Sequence, residues 1–140
     1  MTTGLFFEDL FIGQTASLSK TITEADILMY SAVSMDTNPI HLDEEIAQQS
    51  RFGGRIAHGM LSAGLISAVL GNQLPGPGTI YTRQSLNFRA PVRIGSTVRA
   101  IVEITDLNPL SKKATLKTTC MVKEEVVIDG EASVLVPSRA

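Results

Sequence analysis

A chain of 140 residues with 44% hydrophobic, 19% charged and 5% aromatic side chains has the size of one domain and enough apolar content to fold, which excludes a disordered segment. The net charge is −2 and no run of about 20 apolar residues is present to span a bilayer. Cys120 stands alone, so neither an internal disulfide nor a cysteine-based metal cluster is available. Residues 1–9 lack the basic end and longer apolar run of a signal peptide, so the expected location is the cytoplasm. Charge is unevenly spread: residues 1–60 carry three basic against eight acidic side chains, whereas residues 83–123 carry eight against two. Such a basic stretch attracts a polyanion through its local field, or simply marks outward strand positions where Lys and Arg protect edges. With few aromatics and no recognition motif, neither nucleic acid nor a membrane is an expected partner.

The chain begins with a strand over residues 15–22. Thr23-Glu24-Ala25-Asp26 matches a capping box and predicts a helix that ends just before Asp36. Pro39 biases Asn38 away from the α region, so the segment to His41 is expected as a turn. A short helix over residues 43–49 and a Gly-rich loop over 50–55 follow. His58-Gly59 then opens a run, from Met60 to Leu70, that is apolar or small on every side. Such a helix is expected to be enclosed by protein on most sides. At 1.5 Å per residue it reaches only about 20 Å, too short for a bilayer. Gly71-Asn72 is expected to stop it, with Pro75-Gly76-Pro77-Gly78 as a stiff turn beyond.

The second half alternates with period two. Val98, Ala100, Val102 and Ile104 oppose Thr97, Arg99, Ile101 and Glu103, and Ala114, Leu116, Thr118 and Cys120 oppose Thr115, Lys117, Thr119 and Met121. One dry and one wet face predict an antiparallel sheet covered on one side. Further strands are expected over residues 80–88 and 126–136, the latter with a bulge at Asp129-Gly130. The predicted class is α+β, a curved antiparallel sheet wrapped around one buried helix, as a single domain over residues 1–140.

Chemistry-bearing residues are few. The only histidines are His41 and His58. Asp36-Thr37-Asn38-Pro39-Ile40-His41 places a carboxylate and an imidazole across a stiffened turn that can bring both tips to one point, where they would hold a water and move its proton. The same residues also fit a turn-capping carboxylate and a surface histidine. Gly59 stands where the buried helix begins, so its bare backbone either polarises a carbonyl or allows tight helix–sheet packing. His58 reads most simply as a structural hydrogen-bonding residue. Ser62 and Ser67 lie on the same helix, either bonded back to its carbonyls or facing a site. No nucleotide loop, zinc motif or nucleophile elbow occurs. What remains is water, a proton-moving pair and a polarised carbonyl, which suits addition of water to an α,β-unsaturated thioester or the reverse elimination.

Asp36-Thr37-Asn38-Pro39-Ile40-His41 together with Arg51-Phe52-Gly53-Gly54-Arg55-Ile56-Ala57-His58-Gly59-Met60-Leu61 resembles the MaoC-like dehydratases of hot-dog fold, and within them the single-domain (R)-specific enoyl-CoA hydratases. The likeness runs from Phe7 to Pro137. It implies that Asp36 and His41 form the catalytic dyad, that the Gly59 amide polarises the thioester carbonyl, that Ser67 lies near the dyad and that Asn38 orders the catalytic turn; His58, read from its own place in the chain, is the remaining supporting candidate. It implies (R)-3-hydroxyacyl-CoA from trans-2-enoyl-CoA, no cofactor beyond the CoA of the substrate, no metal, and a homodimer or dimer of dimers joined sheet edge to sheet edge. Polyester precursor supply and fatty-acid breakdown both fit this reaction. The family often has Gly immediately before the catalytic Asp. Here Met35 stands there, and it is expected to stay helical and shape the acyl pocket with Met60 and Ser62. Arg89, Lys112 and Lys113 are the candidates for CoA. A thioesterase is disfavoured, because no Asp or Glu lies between Glu45 and Glu103. A dehydratase acting on acyl-carrier-protein substrates and a non-catalytic acyl-CoA binding module are the alternatives.

Overall fold

A computed structural model describes residues 4–139; Met1–Thr3, the start of the segment read for a leader, lie outside them. Five strands, β1 (Thr15–Thr21), β2 (Ile80–Phe88), β3 (Thr97–Asn108), β4 (Lys113–Val122) and β5 (Glu125–Leu135), form one antiparallel sheet in the order β1-β3-β4-β5-β2. The alternation read from the sequence is the burial pattern observed. Val98, Ala100, Val102 and Ile104 of β3 and Ala114, Leu116, Thr118 and Cys120 of β4 are all fully buried, while Arg99, Glu103 and Lys117 face outward. Helix α4 (Gly59–Asn72) lies on that dry face, contributing Ala63, Ile66, Val69 and Leu70 to the core.

Four helices lie in the first half. In α1 (Glu24–Ser34) the capping box is formed as expected: Thr23 Oγ1 accepts from the Asp26 amide at 3.2 Å and Asp26 Oδ2 from the Thr23 amide at 2.9 Å. The segment read as a plain turn is instead one helical turn, α2 (Pro39–Leu42). Asn38 Oδ1 caps it by accepting from the Ile40 amide, and Pro39 sits at the first helical position, where its missing N–H has no intrahelical partner to lose. The short helix α3 (Glu44–Gln48) follows, capped by Asp43.

Four expectations need correction. Met35 is not helical: at φ 65°, ψ 10° it is the left-handed cap of α1, a conformation that costs a side chain of order 1 kcal/mol. It turns the chain out of the helix so that Asp36 can begin the next turn. Helix α4 runs through Gly71 and Asn72 and stops at Gln73, just ahead of the Leu74-Pro75 turn. It is enclosed on one side only, since Met60, Gly64, Ser67 and Gly71 form an exposed stripe at helical spacing. The bulge in β5 lies at Val127, because Cys120 pairs with Ile128 and Met121 with Val126. That extra residue lets the neighbours Val127 and Ile128 both reach the core. Gly130 is in regular register, and what requires glycine there is the close approach of the Ser85 carbonyl.

Candidate active site

The turn after α1 is held by its own short polar side chains. Ser34 Oγ donates to the Tyr30 carbonyl and accepts from the Asp36 amide, and Asp36 Oδ1 accepts from the Asn38 amide. One helical turn later His41 is buried, its amide bonded to the Asn38 carbonyl. A carboxylate oxygen of Asp36 and one ring nitrogen each of His41 and His58 lie within 4.8 Å of one another. Residues five apart in sequence thus converge, as the proline-stiffened turn allows.

Hydrogen bonds define the rings. His41 Nδ1 lies 2.8 Å from the Ile56 carbonyl oxygen, which only accepts, so Nδ1 is the donor, and in the neutral ring Nε2 is left with the lone pair. His58 Nε2 lies 3.0 Å from the Asp36 carbonyl oxygen, so there the assignment is reversed. The three groups converge as metal ligands do, each ring engaging one nitrogen with a carbonyl and keeping the other free of it. Arg55 secures the turn from outside: its Nε donates to the His41 carbonyl at 2.7 Å, and its two terminal nitrogens bond the Glu24 carboxylate at 2.8 Å each. That hydrogen-bonded guanidinium holds the Glu24 carboxyl below its usual range.

Beside this cluster a cavity of about 350 Å³ is lined by Arg51, Phe52, Gly59, Ser62, Phe88 and Arg89, among others. Gly59 is the first residue of α4, and its amide makes no hydrogen bond among the described residues. An unpaired N–H at the start of a 14-residue helix, aligned with the helix dipole, is an electrophilic group open to a carbonyl oxygen. Packing matters here as well. A Cβ on residue 59 would lie 2.6 Å from the Phe88 ring. Asp36 and His41 are not among the residues lining the cavity, and the Asp36 side is exposed in the single chain.

The remaining candidates separate cleanly. Ser62 is fully buried on the cavity wall, and its Oγ has no hydrogen-bond partner among the described residues. Met35 and Met60 do not line the cavity; they are 83% and 53% exposed. Ser67 is exposed on the outer stripe of α4, so its own chain does not bring it to the dyad. Arg89 lines the cavity and also pairs with Asp129 at 3.0 Å. Lys112 and Lys113 do not reach it. Lys113 is seven residues along β4 from Cys120, which is opposite the cavity-lining Ile128, a separation of about 23 Å at 3.3 Å per strand residue. Arg51, Phe52 and Phe88 were not singled out as cavity residues: the first two open the second family motif but fall in its loop, and the third lies at a strand end. Burial pushes the Cys120 thiol up to about 11, and its Sγ donates to the Ser62 carbonyl, an inert environment rather than a nucleophile's.

Residues 12–127 match the MaoC like domain. An (R)-specific enoyl-CoA hydratase of Rhodospirillum rubrum is 60% identical over 134 residues, 96% of this chain and 93% of that protein. The chain belongs to the MaoC-like family. A 3-hydroxybutyryl-CoA dehydratase of Methylorubrum extorquens is 53% identical over 96% of this MaoC-like chain and 86% of its own length. Among solved structures, an (R)-hydratase from A. caviae involved in PHA biosynthesis superposes with a TM-score of 0.90 at 44% identity, covering 93% of this chain and 99% of that one. The sheet and its packed helix are therefore those of the hot-dog fold. No helix of the described residues is long and apolar enough to cross a membrane.

Proposed function

We propose that this MaoC-like protein is an (R)-specific enoyl-CoA hydratase, a hydro-lyase of fatty-acid metabolism that interconverts trans-2-enoyl-CoA and (R)-3-hydroxyacyl-CoA. The observation that carries the reading is the meeting of the Asp36 carboxylate and the His41 imidazole within 4.8 Å, with His58, stacked on His41, leading directly into the unpaired amide of Gly59. The dyad holds a water between the carboxylate and the lone pair of His41 Nε2. As the water oxygen bonds to C3, one O–H bond breaks to the dyad and a proton is delivered to C2 on the same face. Negative charge developing on the thioester oxygen is met by the Gly59 N–H and the dipole of α4. Asn38 holds the turn, and Ser62 and the Phe88 ring wall the acyl chain. Water is the reactant and CoA part of the substrate, so the reaction calls for no resident cofactor and no metal.

The active assembly is a homodimer built from domains spanning residues 1–140. Two features support it: β2 is an edge strand with Ile80, Tyr81 and Phe88 exposed, and the Met60, Gly64, Ser67, Gly71 stripe of α4 is uncovered by its own chain. Sedimentation at twice the 15.0 kDa chain mass is expected.

Loss of enoyl-thioester absorbance when purified protein meets crotonyl-CoA, with the (R) product by chiral analysis, tests the function. Inertness toward crotonyl-CoA and longer enoyl-CoAs sinks it, and release of free CoA would point to thioester cleavage instead. CoA binding is tested by charge. Arg89→Glu is expected to raise KM for crotonyl-CoA about tenfold at low salt, an effect shrinking as salt screens it, whereas Lys112→Glu and Lys113→Glu leave KM unchanged. An Arg89→Glu enzyme with wild-type KM would remove Arg89 from CoA binding.

A further inference from the structure

The two histidines of the chain are coupled. Their rings stack with centroids 3.9 Å apart and planes inclined by 28°. His58 is 2% exposed, and its Nε2 reaches both the Asp36 carbonyl at 3.0 Å and Ser31 Oγ at 3.1 Å. The Tyr30 ring packs tilted against it at 4.7 Å. Because a carbonyl has only lone pairs to offer, Nε2 must carry the ring proton. That leaves Nδ1 buried and without a partner among the described residues, an arrangement less favourable than an apolar ring of similar shape would give. The ring thus presents its flat face to His41 and its single donor to the Asp36 carbonyl.

We propose that His58 is the positioning residue of the dyad, fixing both members with one ring. Its face sets the plane of the His41 imidazole, and so the direction of the Nε2 lone pair. Its Nε2–H holds the Asp36 carbonyl, and so the backbone from which the carboxylate projects. The need is local: residues 32–39 are all exposed, so little else packs on the turn that carries Asp36. Misplacing a reacting group by about 1 Å costs about 10²-fold in rate. This role rests on the hydratase reading above, but part of its test does not.

With two histidines in the chain, ring ¹⁵N spectra of the whole protein are simple to assign. The expected result is opposite tautomers, Nδ1–H for His41 and Nε2–H for His58. His58→Gln keeps an amide donor toward Asp36 but loses the stack, and His58→Phe keeps the stack but loses the donor. Each is expected to lower kcat on crotonyl-CoA about 10²-fold with KM within about threefold, and in His58→Gln the His41 signals should move toward a mixture of tautomers. Nε2–H on both wild-type rings overturns the proposal, as does a folded variant of either kind with kcat within about threefold of wild type. Should neither variant fold, the wild-type tautomers alone decide it. Wild-type protein inert toward enoyl-CoA, with the tautomers as expected, would bring down the hydratase reading and leave the coupling of the two rings standing.

Discussion

Asp36→Asn and His41→Gln are each expected to lower hydration of crotonyl-CoA by at least about 10³-fold, while circular dichroism and the thermal melt stay as in wild type. The fold should survive because each replacement keeps the hydrogen bond that the native side chain makes. Asp36 Oδ1 accepts from the Asn38 amide at 3.3 Å, and an asparagine oxygen does so equally. His41 donates through Nδ1 to the Ile56 carbonyl at 2.8 Å, a bond within reach of a glutamine amide. What neither replacement keeps is a basic group facing the water. Asparagine has no negative charge to take or orient a proton, and glutamine has no counterpart to the Nε2 lone pair. Near-normal rates in both variants would remove the dyad from the mechanism. Loss of the fold in either would show that the turn depends on these side chains for more than the bonds named.

Gly130→Ala is expected to lower stability by about 3 kcal/mol, at the upper end for a forced contact in a packed interior, and the melting temperature by about 10 °C. A methyl group at residue 130 would lie 1.9 Å from the Ser85 carbonyl oxygen and 2.8 Å from its carbon. These are backbone atoms of β2, so no side chain can swing aside. Strand β2 would have to separate from β5, where Leu86 pairs with Gly130 and Asn87 with Asp129. The damage should travel along the strand, because β2 ends at Phe88, whose ring lies against Gly59. A differential scanning trace gives the stability change, and a melting temperature within about 2 °C of wild type would show that the strands accommodate the methyl group without cost.

Basicity alone is a poor guide to which cations reach the cavity. Arg89 lines the cavity, yet Lys112 and Lys113 of the same basic stretch lie at the far end of the strands. Lys112 instead sits over the Phe7 ring at 5.2 Å. Net charge along a segment says nothing about which side of a hairpin each residue occupies. The lining of the cavity shows the same lesson at shorter range. Met35 and Met60 looked like wall residues by size and position, but a left-handed backbone at one and the outward face of α4 at the other expose both. Ser62, one turn into the same helix, faces inward with its hydroxyl unpartnered.

Elements set by short-range rules were legible from the residues alone. The capping box at Thr23 and Asp26, the bounds of β2, and the dry faces of β3 and β4 depend on hydrogen bonds and side-chain directions repeating every two to four residues, and such repeats are written directly in the chain. The Asp36 and His41 motif was legible for the same reason, its spacing being closed by one local turn. Only the tertiary structure decided the stack of His41 on His58, the orientation of Gly59 toward Phe88, the displacement of the bulge to Val127, and the outward placement of Ser67. Each depends on how distant segments are brought together by sheet register and by the seating of α4. Register and seating arise from the packing of the whole core, which no window of neighbouring residues contains.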